Sequence, residues 1–130
     1  MKLVIGGAYQ GKTAAAMELY QLRDEDILDG ASCSPEEIYK AKAVRNFHML
    51  IRRLLKEKGS ASDLAQSIIA ENPGICIITN EVGYGIVPID VFEREWREAC
   101  GRVCCILAEY ADEMVRVTAG CCMYLKGKES

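Results

Sequence analysis

Apolar and polar positions along the chain alternate between two kinds of pattern. Lys2-Leu3-Val4-Ile5 is a short apolar run closed by Gly6, and Lys12 to Leu22 is rich in helix formers, so the opening reads strand, glycine turn, helix. Arg23 to Asp29 is acidic apart from Ile27 and Leu28, which fits a short strand ending at Asp29 or a loop, and Gly30 to Pro35 reads as a turn. From about Pro35 to Lys58 a helical pattern is predicted, with Phe47, Leu50, Ile51, Leu54 and Leu55 on one face and Gly59 as its stop. Ser60 or Ser62 caps a further helix to about Glu71, and Asn72-Pro73-Gly74 is a turn. Ile75-Cys76-Ile77-Ile78 is apolar without alternation, as in a strand covered on both faces of a parallel sheet. Asn80 to Val87 reads as a glycine-bearing loop. Pro88 then opens a long amphipathic helix to about Ala111, with Phe92, Trp96, Ala99, Val103, Leu107 and Tyr110 at threes and fours. Met114 to Thr118 and Cys121 to Leu125 flank Ala119-Gly120 as a hairpin or a strand with a return. Strands alternating with helices predict an α/β fold, a mostly parallel sheet with helices on both faces and a short C-terminal strand or hairpin.

Composition narrows this picture. The chain has 130 residues, the size of one domain (1–130) that buries roughly two-thirds of its unfolded surface. With 50% hydrophobic and 27% charged residues it is neither disordered nor low-complexity. Lys+Arg 16 against Asp+Glu 19 gives a net charge of -3, which argues against a nucleic-acid partner and leaves any anion to be held locally. The seven cysteines are odd in number, include two adjacent pairs and follow no secretory signal, so reduced thiols in a cytoplasmic protein are expected. No stretch approaches the roughly 20 apolar residues of a membrane span.

The strongest local chemistry is Gly6-Gly7-Ala8-Tyr9-Gln10-Gly11-Lys12-Thr13, which satisfies G-x-x-x-x-G-K-[ST] between a predicted strand and a predicted helix. This is the phosphate loop of a P-loop NTPase-like fold. Glycines let backbone N–H groups turn toward phosphate oxygens, Lys12 neutralises β/γ charge, and the Thr13 hydroxyl ligates Mg²⁺ at a helix N-terminus. Tyr9 and Gln10, variable positions of the motif, are placed to tune which nucleotide or acceptor fits. An acidic Mg²⁺ partner is expected at a neighbouring strand end, and Asp29 and Glu81 are the two candidates.

Thr79-Asn80-Glu81-Val82-Gly83-Tyr84-Gly85-Ile86-Val87-Pro88 closely resembles the T-N-E-V-G-x-G-I-V-P signature of the bifunctional adenosylcobinamide kinase/adenosylcobinamide-phosphate guanylyltransferase family. Arg97 to Arg102 is similar to that family's R-x-x-x-G-R stretch, and Ala111-Asp112-Glu113 with Val115 to Gly120 to its A-D-E-V-x-x-V-x-x-G ending. The double glycine of the phosphate loop is also the family's. The resemblance implies phosphorylation of the adenosylcobinamide aminopropanol hydroxyl by ATP or GTP, then transfer of GMP from GTP, in assembly of the cobalamin nucleotide loop. It further implies that Gly6 to Thr13 hold the phosphates, with Lys12 and Glu81 catalytic. Asn80, Glu81 and Gly83 would line the same cleft, with Thr13 and Asp29 or Glu81 at Mg²⁺. A homo-oligomer, trimeric in family members, is implied as well.

One departure stands out. The family transfers guanylyl through a histidine in an H-H-K-D-G-R-P-like segment, which this chain lacks, and the region between Leu22 and Ile75 is short for a member. His48 is the sole histidine, predicted at the edge of the apolar helix face with Arg45 and Arg52 nearby; its default reading is a boundary residue without a role, the alternatives being a phosphate contact or a relocated nucleophile. The basic stretch Lys40 to Lys58 reads chiefly as a solvated helix face, and Cys100 and Cys104 as small core residues. Trp96 and Tyr110 read as core or subunit packing. Two function classes follow: a phosphotransferase of this family with guanylyl transfer in doubt, or a nucleotide-binding regulatory or interaction protein that kept the P-loop and lost catalysis.

Overall fold

A computed structural model describes residues 1–81 and 90–128. Its elements are β1 (Lys2–Gly6), α1 (Lys12–Tyr20), β2 (Ile27–Asp29), β3 (Ala43–Arg45), α2 (Phe47–Lys56), α3 (Ala61–Glu71), β4 (Cys76–Asn80), α4 (Val91–Tyr110), β5 (Glu113–Thr118) and β6 (Cys121–Lys126), with short 3₁₀ turns at Asp24–Asp26 and Pro35–Tyr39. The sheet order is β2-β3-β4-β1-β5-β6. All neighbours are parallel except β5 and β6, which form the predicted antiparallel hairpin.

Side chains on a strand alternate between faces, and here each face has its own cover. Leu3, Ile5, Val44 and Ile77 pack with Phe47, Leu50 and Ile51 of α2, Ala65 and Ile68 of α3, and Ala99, Val103 and Leu107 of α4. Val4, Cys76, Ile78, Val115 and Val117 pack on the other face with Ala16 of α1. Three helices thus cover one face and α1 the other. Cys100 is buried and Cys104 half-buried, in keeping with their reading as small packing residues; burial pushes the Cys100 thiol up to about 12 and that of Cys104 to about 11. All seven cysteines are free.

The main correction concerns residues 35–58. The single predicted helix is instead a 3₁₀ turn, the strand β3 and the helix α2. Ala43 and Val44 are fully buried, but a three-residue strand is too short to show a period of two against a strong helical pattern beside it. Asn46, at φ 53, takes the left-handed conformation that turns β3 into α2. The basic face dissolves as a result. Arg45 lies on β3 and pairs with Asp29, Arg53 donates to the carbonyls of Gly30 and Cys33, and Arg52 pairs with Glu93 at 2.5 Å. Asn80 also moves, from the predicted loop to the last residue of β4. The long helix starts at Val91, capped by the Asp90 carboxylate, and Pro88 lies outside the described residues. Tyr110 is 45% exposed, so it adds nothing to this core.

Candidate functional site at the ends of β1 and β4

Parallel strands expose their carboxyl ends along one edge, and β1 lies at the point where the chain crosses from one side of the sheet to the other. The β1–α1 connection leads toward β2, while β4 and α4 cross back over β1 to β5. Such a switch point opens a crevice. The Gly6–Thr13 loop occupies its mouth.

Sterics dictate two of the loop's glycines. A Cβ on Gly6 would lie 2.5 Å from the Val117 carbonyl oxygen of β5, and Gly11, at φ 84, makes the left-handed entry into α1. No side chain caps α1 and its first turn holds no acidic residue, so its leading N–H groups and the positive end of its dipole are left to an external anion. Lys12 Nζ donates to the Gly7 carbonyl at 2.7 Å. Burial lowers the Lys12 pKa, opposed by the carboxylate of Glu81. Gln10 is committed to the β5–β6 hairpin: its side-chain Oε1 accepts from the Ala119 N–H at 2.6 Å, and its backbone carbonyl accepts from the Gly120 N–H at 2.9 Å. Tyr9 stands fully exposed in a left-handed conformation, φ 59. Ala8 and Gly7 complete the loop, and Thr13 is half-buried in the first turn of α1.

The end of β4 lies against this loop. Gly6 and Asn80 are register partners, and the Glu81 N–H donates to the Gly6 carbonyl at 2.9 Å. Arg116 Nε of β5 donates to Glu81 Oε1 at 2.6 Å. On the other flank the Asn80 N–H donates to His48 Nδ1 at 3.1 Å, and Trp96 Nε1 donates to the His48 carbonyl at 2.8 Å. An imidazole that accepts at Nδ1 is neutral and carries its hydrogen on Nε2. Burial, then the charge of Lys12, push His48 down to about 4.

Of the candidates, the fold brings Lys12, Thr13, Asn80 and Glu81 to one mouth with Gly6, Gly7 and Gly11. It does not bring Asp29 there. β3 and β4 stand between β2 and β1, about 14 Å at roughly 4.8 Å per strand. The Asp29 carboxylate is used locally, accepting from the Ala31 N–H, the Asn46 amide and Arg45 at 2.9, 3.1 and 3.4 Å. Burial would raise its pKa, but these donors overcome that and hold it below the usual range. Gly83 lies outside the described residues.

Sequence reasoning singled out His48 without assigning it this contact, and it missed Arg116. Arg116 carried a readable signal, a charge set between Val115 and Val117, the buried residues of this strand. His48 carried none, because its partner is a backbone N–H.

A profile of the cobinamide kinase / cobinamide phosphate guanyltransferase family matches residues 46–125, more than half of the chain. The chain belongs to this family. The matched span holds α2, the end of β4, α4 and the β5–β6 hairpin, and hence His48, Asn80, Glu81 and Arg116. It begins after the phosphate loop, whose reading rests on its own motif and geometry. No curated protein sequence matches the chain. Among the described residues no helix is long and apolar enough to cross a membrane.

Proposed function

We propose that the chain is a nucleotide-dependent phosphotransferase of cobalamin nucleotide-loop assembly. It passes the γ-phosphoryl group of ATP or GTP to the hydroxyl of an adenosylcobinamide-like acceptor. The observation that carries the reading is the joining of the phosphate loop to the end of β4 by the Glu81 N–H to Gly6 carbonyl bond at 2.9 Å, which sets a carboxylate beside Lys12. Family membership supports the reaction class.

The loop N–H groups and Lys12 hold the β- and γ-phosphates and take up the charge that develops as the phosphoryl group leaves. On nucleotide entry, Lys12 exchanges the Gly7 carbonyl for phosphate oxygens. The Thr13 hydroxyl and the Glu81 carboxylate are hard oxygen donors, a set that fits Mg²⁺, which when bound neutralises phosphate charge. Asp29 is left out of this set, its carboxylate being engaged by Ala31, Asn46 and Arg45. Glu81, oriented by Arg116, faces the acceptor hydroxyl and steadies it for in-line attack. Asn80 supports this edge through its backbone, and Gly83 belongs to the segment that follows.

Guanylyl transfer does not belong to this site as we read it. A histidine carrier needs an imidazole open to the nucleotide, whereas the single histidine is 6% exposed with Nδ1 engaged. We also propose a homo-oligomer built by a second copy of this chain, supported by the outer strand β6, where Met123 and Leu125 are 60% and 42% exposed. Sedimentation of the chain at micromolar concentration checks this.

The test of function is product mass. Wild type with adenosylcobinamide, Mg²⁺ and ATP or GTP is expected to yield the phosphate adduct, and Lys12→Ala none. A GDP-linked product overturns the exclusion of guanylyl transfer. Nucleotide binding without any adduct favours the regulatory alternative.

A further inference from the structure

The parallel ladder between β3 and β4 ends at the pair Val44 and Ile77, well short of Asn80. Past it, β3 has turned through Asn46 into α2. N–H groups of a parallel strand point alternately to its two neighbours, so the Glu81 N–H reaches β1 while the Asn80 N–H faces the side where the partner strand has run out. An unpaired N–H there would cost about 1–3 kcal/mol. The residue that answers it is His48, in the first turn of α2, with Nδ1 at 3.1 Å.

We propose that His48 is a positioning residue of the transfer site: by accepting the Asn80 N–H it fixes the end of β4 and so holds the Glu81 carboxylate beside Lys12. This deepens the reading of the β1–β4 edge as that site and rests on it. His48 is itself held. Its carbonyl takes the Trp96 indole N–H at 2.8 Å, and the Arg52 guanidinium lies 4.8 Å from the Trp96 ring and 5.1 Å from that of Phe92 while pairing with Glu93. A rigid platform of α2 and α4 thus carries the acceptor. The Asn80–Glu81 segment is then tied at three points: to His48 through the Asn80 N–H, to Gly6 through the Glu81 N–H, and to Arg116 through the carboxylate. A leucine would fill the same space without a buried polar group to satisfy, so packing alone does not account for an imidazole here.

Chemistry supplies a discriminating series. The Oδ1 of asparagine falls close to the position of Nδ1, the Oε1 of glutamine reaches toward Nε2, and leucine offers no acceptor. His48→Leu is expected to lose about tenfold to a hundredfold in kcat, the scale of a displaced catalytic group, with the KM for nucleotide within about twofold. His48→Asn is expected to recover most of that loss and His48→Gln little. Because the chain has one histidine, its ring nitrogen resonances are assigned without ambiguity. At pH 7.5 they are expected to show the Nε2–H tautomer, with the Asn80 amide protected from exchange in wild type and His48→Asn and exposed in His48→Leu.

A His48→Leu enzyme as fast as wild type, or a His48→Asn enzyme as slow as His48→Leu, overturns the proposal. Should wild type transfer no phosphoryl group, the reading of the site falls and the magnetic-resonance arm decides alone. An Nδ1–H tautomer or an unprotected Asn80 amide in wild type then refutes the role of His48. The tautomer measurement needs no variant to fold.

Discussion

Replacing His48 by Asn converts a buried titrating acceptor into a buried neutral one, and its main effect on stability is expected through pH. In the folded protein the imidazole is held neutral, with its pKa pushed to about 4 by burial and by Lys12, against an ordinary 6.5. The charge that acts on it is Lys12 of α1, while Arg52 of α2, stacked on the neighbouring Trp96 ring, is paired with Glu93 of α4. A depressed histidine pKa means that the unfolded chain binds the proton more readily. Stability from this residue is therefore complete above about pH 6.5 and is lost as pH falls from there to about 4. At 1.36 kcal/mol per pKa unit the full loss is about 3 kcal/mol, of which about 2 kcal/mol falls between pH 7.5 and pH 5, before most carboxylates titrate. With a urea slope of about 2 kcal/mol per molar, wild type should lose about 1 M in its unfolding midpoint over that interval beyond what His48→Asn loses. Urea titrations of both proteins at the two pH values measure it directly. Equal losses would refute the reasoning, because the imidazole would then titrate alike in the folded and unfolded chains.

Further outcomes follow from single contacts. Gly6→Ala places a methyl group 2.5 Å from the Val117 carbonyl and is expected to cost about 1–3 kcal/mol, read as a lower unfolding temperature together with weakened nucleotide binding. Trp96→Phe removes the indole bond to the His48 carbonyl and should cost about 1 kcal/mol in urea unfolding. Asp90→Ala removes the acceptor for the Phe92 and Glu93 N–H groups at the start of α4 and should also cost about 1 kcal/mol, in thermal unfolding. Arg116→Met frees the Glu81 carboxylate, and kcat for phosphoryl transfer should fall more than tenfold, with Arg116→Lys recovering part of it.

Elements with a strong period or a clear punctuation mark were legible in the residues alone. The loop from Gly6 to Thr13, α3 with its Ser60 cap, and the hairpin around Ala119-Gly120 lie where local chemistry places them. β3 was hidden because three residues cannot announce a strand beside a helix whose apolar face is as marked as that of Phe47, Leu50 and Ile51. That omission hid more than a strand. Without β3 the sheet cannot be ordered, so neither the distance of Asp29 from the loop nor the early end of the ladder that calls on His48 could be read. Glu81 was legible because the strand preceding it is unbroken and apolar. Its clamp to Arg116 depends on β5 lying next to β1, which sequence does not specify.

The central claim is that this edge of the sheet moves a γ-phosphoryl group to an alcohol, and it is tested most directly by following the label. Wild type is incubated with adenosylcobinamide, Mg²⁺ and ATP or GTP radiolabelled at the γ-phosphate, or in a parallel reaction with GTP labelled at the α-phosphate. The account predicts that γ-label enters the corrinoid product in wild type and not in Lys12→Ala, and that α-label never enters it. Bound nucleotide with no γ-label in the corrinoid would contradict it.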